Sequence, residues 1–167
     1  LLCTACGVQK ENNEVNIERQ TIQLESDVMT PEALWAMSRI GAYQPSPDGK
    51  HIVFQMGYYS VKDNKSHQVL WMMNADGTEQ RQLTTDADNE TDAQWMNDET
   101  IAFLKGGEVW MMSVNGDKRK QMSQTDGKVE GFMFSPDCKN VILLKSIDFN
   151  EVIQKNPEDL PYATGRV

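Results

Sequence analysis

Short runs of β-branched and aromatic residues, each bounded by turn-forming residues, recur along the chain from Tyr43 onward. Ile52-Val53-Phe54, Ile101-Ala102-Phe103 and Val141-Ile142-Leu143-Leu144 are three of them. Runs of this length and composition predict strands. A second apolar run follows the first two, Leu70-Trp71-Met72-Met73 and Val109-Trp110-Met111-Met112, and each leads into a turn signal, Asp76-Gly77 or Asn115-Gly116. Such dipeptides accept the positive φ of tight hairpins. Residues 79–83 and 118–122 are more polar and predict an outer strand, where charge discourages pairing with other chains.

These elements repeat with a fixed period. Trp71 and Trp110 lie 39 positions apart, as do Leu83 and Met122, and Asp98 and Asp137. Ser46-Pro47-Asp48-Gly49-Lys50 returns as Ser135-Pro136-Asp137-Cys138-Lys139, with a degenerate copy at Met96-Asn97-Asp98-Glu99-Thr100. Pro presets φ in such a turn and Gly permits the positive φ after it. Asp48 and Asp98 are 50 apart, so the first unit carries about 11 extra residues, which fit the polar stretch 57–68. Four strands in roughly 40 residues is the blade of a propeller. The expected fold is therefore all-β: an incomplete β-propeller of four-stranded antiparallel blades, preceded by one short helix. Residues 41–167 would form two full blades and part of a third, fewer than closure needs.

The start of the chain reads differently. Residues 1–6 are small and apolar and predict a signal-peptide remnant ending in a lipoprotein-processing box, with Cys6 as the lipidated residue. Cys3 stands where that box usually carries Leu. Residues 7–28 form a polar tether with a candidate strand over 15–24, in which Ile17, Ile22 and Leu24 could pack. A helix is expected within 29–40. Thr30 can cap it, Pro31 suits its first position and Glu32 its positive end. Leu34, Met37 and Trp35 would supply the buried stripe, and the helix would end near Arg39.

Charge and composition narrow the function classes. The net charge of −9, from 25 acidic and 16 basic residues, argues against nucleic acid as a partner. Three cysteines, two of them at the extreme start, do not make a disulfide framework, and Cys138 is expected to be a turn or packing residue. His51 and His67 are expected at a strand start and in a loop, as surface residues. Asp86, Asp88, Glu90 and Asp92 alternate as calcium ligands can, but the glycine of the calcium-binding hand is missing, so a solvated loop between units is expected. The Trp71 and Trp110 runs are read as stacking core between blades. No cofactor, metal site or catalytic residue is assigned, and no Gly-x-Ser-x-Gly, phosphate loop or Cys/His metal spacing occurs.

Ser-Pro-Asp-Gly-Lys before an apolar strand, then Leu-Trp-Met-Met-Asn-Ala-Asp-Gly and Arg-Gln-Leu-Thr-Thr, resembles the WD40-like repeat of TolB and of prolyl oligopeptidase-family peptidases. Met29-Thr30-Pro31-Glu32-Ala33-Leu34-Trp35 ahead of the first repeat is similar to the opening of bacterial dipeptidyl and acylaminoacyl peptidases of that family, and residues 159–167 to a segment of their propellers. The resemblance implies an exported serine exopeptidase acting on short peptides. Its propeller would gate a C-terminal α/β-hydrolase domain, the partner of these residues, whose serine, histidine and aspartate are not found among them. The expected location is periplasmic or anchored to the outer membrane as a lipoprotein, the membrane being met only through the lipid. The alternative is a non-enzymatic, TolB-like periplasmic propeller that binds protein partners.

Overall fold

A computed structural model describes residues 17–22 and 26–146. Cys6, the expected lipidation residue, part of the candidate strand at 15–24, and the segment 159–167 lie outside the described residues. Among the described residues one helix, α1 (Pro31–Ala36), precedes ten strands: β1 (Arg39–Pro45), β2 (His51–Ser60), β3 (Lys65–Asn74), β4 (Arg81–Gln82), β5 (Glu90–Asn97), β6 (Thr100–Lys105), β7 (Glu108–Ser113), β8 (Lys120–Gln121), β9 (Val129–Phe134) and β10 (Val141–Lys145). Strands β1 to β4 form one antiparallel meander, β5 to β8 a second, and β9 with β10 a hairpin. The fold of the described residues is all-β with one short helix and antiparallel four-stranded sheets that do not close into a ring, as an incomplete propeller requires.

The repeated sequence maps onto repeated register. Phe54 pairs with Trp71 and Phe103 with Trp110. Ile-x-Phe on the second strand and Trp-x-Met on the third therefore occupy matching places in the two ladders, with faces set by the alternation of side chains. In the second sheet Ile101, Phe103 and Met112 bury against Val53, Leu70, Met72 and Leu83 of the first. The opposite face, Ala102, Leu104 and Val109, buries against Val129 and Phe132 of the third unit. Trp110 packs on the inter-sheet core as expected, whereas Trp71, on the first sheet, packs on the cluster of Ile17, Tyr58 and Val69. The short polar residue after each outer strand completes the ladder: Thr84 Oγ1 accepts from Leu70 N–H at 2.9 Å and Ser123 Oγ from Val109 N–H at 2.8 Å. Each satisfies a backbone donor where the two-residue outer strand is too short to do so.

Three expectations are corrected. The helix ends at Ala36, and Arg39 already pairs with Gly57 in the first sheet, whose ladder takes the backbone the helix would have used. The helix does form as its cap predicts, with Thr30 Oγ1 accepting from Ala33 N–H at 3.2 Å. Its buried residue is Ala33, however, while Leu34 and Trp35 are 48% and 43% exposed. Six residues make less than two turns, too few to bury a stripe. Trp35 instead stands edge-on to Tyr59 at 6.1 Å, and the Arg39 guanidinium lies 4.7 Å and 4.5 Å from the two rings.

The extra residues of the first unit are not a polar loop. Phe54 and Trp71 are seventeen positions apart where Phe103 and Trp110 are seven, so the insertion is ten residues long. It lengthens β2 and β3 to ten residues each, closed by a turn at residues 61–64 with Asn64 at φ 49°. The extension carries Tyr58, which is buried and accepts from Trp71 Nε1 at 3.0 Å. The middle turn accounts for the count of eleven: Asn97 pairs directly with Thr100, which makes it tighter than the first turn, where Pro45 pairs with Ile52.

Candidate functional site

Two polar assemblies stand beside the apolar core. The first lies along the seam between the two four-stranded sheets. Asp86 accepts from Lys105 Nζ and, at 2.8 Å, from Arg119 Nη1. Arg119 also donates to Leu83 O at 2.9 Å and to Gly116 O at 3.1 Å, while Arg81 reaches from the first sheet to Val114 O at 2.8 Å. The planar guanidinium suits this bridging, since its fixed fork of donors can satisfy several carbonyls at once. The Lys105 bond chiefly, with the Arg119 charge, holds the Asp86 carboxyl below its ordinary range despite partial burial. Lys105 lies 5.3 Å from the Trp110 ring centre as well.

Glu90 sits inside this seam, directly opposite Lys105 in the ladder. It is fully buried, and neither carboxyl oxygen has a hydrogen-bond partner. Burial, reinforced by the nearby Asp86 charge, pushes its carboxyl up to about 7; the Thr84 hydroxyl, Lys105 and Arg119 offset this only in part. The solvated loop expected at residues 86–92 is thus corrected. Asp88 is exposed, but Asp86 and Glu90 belong to the seam because residues 84–90 run between the sheets. Among the described residues no group of three or more His, Cys, Asp or Glu side chains converges as a metal would need.

The second assembly holds residues 17–22 against the extended first hairpin. Ile17 is buried against Tyr58 and Val69, and Gln20 Nε2 donates to Tyr59 O at 3.1 Å. His67, expected as a surface loop residue, is instead on β3 and half-buried. Its Nδ1 lies 3.0 Å from Ile17 O and its Nε2 3.3 Å from Asp88 O. Residue type and spacing carry no signal for this, because both partners are backbone carbonyls 50 and 21 positions away. His51 is half-buried too, with its Nδ1 buried and unpartnered. Cys138 is the turn residue expected, and its Sγ approaches Met96 O at 3.2 Å.

An open groove of about 720 Å³ lies between residues 19–22, the end of α1 and the outward face of the first sheet, with Ile40, Met56 and Trp71 in its wall. A smaller one of about 340 Å³ adjoins His67 and Tyr58. In the smaller groove both His67 ring nitrogens face backbone carbonyls, so the ring is not paired with a hydroxyl or a carboxylate there. Among them, no helix is long and apolar enough to cross a membrane.

No family model matches the chain. It is 34% identical over 158 residues to dipeptidyl-peptidase 5 of Porphyromonas endodontalis, a match covering 91% of this chain and 22% of that protein. It is 38% identical over 144 residues to dipeptidyl-peptidase 5 of Porphyromonas gingivalis, covering 83% of this chain and 21% of the relative. The chain therefore spans about a fifth of the length of the relatives it matches, and what it shares with them is a region of two peptidases.

Proposed function

We propose that these residues are the first blades of a β-propeller in an exported serine exopeptidase that removes dipeptides from short peptides. The observation that carries the reading is the identity to two dipeptidyl-peptidases along 158 and 144 residues, nearly the whole of this chain. The repeated sheets fit the same reading, since each packs face to face on the unit before it. In this reading the catalytic serine, histidine and aspartate lie in an α/β-hydrolase domain, and the propeller restricts that site to peptides small enough to reach it. Cys6 is the lipid attachment point that would hold the protein at a periplasmic membrane surface.

The test is made on the longer protein of which these residues are part. Purified, it should release a fluorophore from a dipeptidyl reporter and lose that activity to a serine-directed inhibitor, while residues 1–167 alone release none. A longer protein that folds, binds other periplasmic proteins and hydrolyses no reporter would overturn the peptidase reading in favour of a TolB-like binding propeller.

A further inference from the structure

Both ring nitrogens of His67 face oxygens that can only accept. Nδ1 stands 3.0 Å from the carbonyl of Ile17 and Nε2 stands 3.3 Å from the carbonyl of Asp88. A neutral imidazole carries one N–H, so it can donate to one of these and must turn a lone pair toward the other. Only the imidazolium donates to both, and its charge strengthens each bond. The two carbonyls belong to different segments: Ile17 to the segment laid on the outward face of the first sheet, Asp88 to the connection between the sheets.

We propose that His67 is a proton-operated latch, its doubly donating form clamping residues 17–22 and the inter-sheet connection onto the first hairpin. Ile17 fills the gap over Tyr58 and Val69, and Gln20 donates to Tyr59 O. When the ring loses its proton, one of the two carbonyls loses its donor. The segment can then lift from Tyr58, Val69 and Trp71, the outward face of the first sheet.

Among the described residues the groups facing His67 are few. Glu18 and Arg19 come from the clamped segment, Tyr58 is its direct partner on β2, Gln82 and Thr85 are uncharged, and Asp88 lies in the connection. On its own strand Lys65 is the nearest charge, and Asp86 is engaged by Lys105 and Arg119. The latch is independent of the peptidase reading, since it needs only these residues.

Side-chain ¹⁵N spectra of the full chain test the chemistry directly. Below the His67 transition both of its nitrogens should carry protons, and above it one should not. Trypsin cleavage after Arg19 tests the consequence. His67→Gln keeps one donating nitrogen, as a neutral ring does, so at pH 6 it should be cut about tenfold faster than the wild type, the effect of losing one charge-assisted bond. At pH 8 the two should differ by less than about twofold, and His51→Gln should follow the wild type throughout. Comparing variants at one pH cancels the protease's own pH dependence. A His67 ring that keeps a single proton from pH 5 to 8, or a cleavage ratio equal at both pH values, would overturn the latch. Should His67→Gln lose its strand signature in circular dichroism, the wild-type nitrogen spectra still decide.

Discussion

Cys138 stands in the third unit where Gly49 stands in the first, and both carry a left-handed backbone, with φ of 53° and 70°. The turns around them are built alike. Ser46 Oγ donates to Asp48 at 2.6 Å and accepts from His51 N–H at 2.9 Å; Ser135 Oγ donates to Asp137 at 2.6 Å and accepts from Asn140 N–H at 3.0 Å. The chain thus imposes on a cysteine a conformation that only glycine adopts freely. Cys138→Gly should stabilise the fold by about 1 kcal/mol, and Gly49→Ala should cost about as much. No atom lies within 4 Å of a Cβ built at Gly49, so the penalty there is conformational and not steric. Urea unfolding of the two variants checks both signs, and equal stability in all three proteins would contradict the strain.

Arg119 ties the second sheet to the first through Asp86 and Leu83, and braces its own turn through Gly116. Arg119→Ala leaves the Leu83 carbonyl without that donor and Asp86 with Lys105 alone. A loss of about 2 kcal/mol is expected, against about 1 kcal/mol for Arg81→Ala, which gives up its bond to Val114 O. Asp86 adds a pH signature. Its folded value is lowered, so its contribution is present above the ordinary carboxylate range and lost as pH falls through the folded value. Arg119→Ala should therefore unfold at a higher pH than the wild type in an acid titration followed by tryptophan fluorescence.

The repeat was legible because its landmarks are local. Trp71 and Trp110, and the serine-aspartate turns, announce themselves by residue type, and the register of Phe54 and Phe103 follows from alternation. What composition could not show was where a polar residue would end up once sheets stack. Glu90 looks like one of four alternating acids, yet packing of β5 against the first sheet buries it. The segment 57–68 looks like a loop because Asn, Lys and Ser dominate its tip, but Tyr58 on its wall is buried under Ile17. His67 and Arg39 act through backbone carbonyls and aromatic faces from distant positions, and no spacing encodes those.

Met133, Ile142 and Leu144 on the third hairpin are 66%, 73% and 64% exposed. Ile142 holds the register at which Val53 and Ala102 are buried under the next sheet. An apolar sheet face of this kind, next to a strand edge that is unpaired among the described residues, promotes association. The chain should self-associate at micromolar concentration, and Ile142→Lys combined with Leu144→Glu should shift it to monomer without changing its strand content. Light scattering with circular dichroism reads both. A wild-type chain that stays monomeric at high concentration would show that this face is not sticky.

Glu90 makes the sharpest pH prediction, because Val129 fills the matching place in the next unit. Glu90 pairs with Lys105 at the start of β5, as Val129 pairs with Lys145 at the start of β9. The folded protein holds the Glu90 proton up to about pH 7, against 4.5 for the free side chain. Between those values the folded state binds more protons than the unfolded one, so stability falls as pH rises through the window and levels off above it. The full effect is at most about 3 kcal/mol. Glu90→Gln keeps the shape without the ionisation, so it should match the wild type near pH 4.5 and exceed it by about 2 kcal/mol at pH 8. Glu90→Val should gain further, since it leaves no unpartnered polar atom beside Thr84. Urea midpoints at pH 5, 6, 7 and 8 measure this directly. A wild-type-to-glutamine difference that stays constant over that range would mean that Glu90 does not titrate there, and that the seam supplies the carboxylate with solvent or a donor.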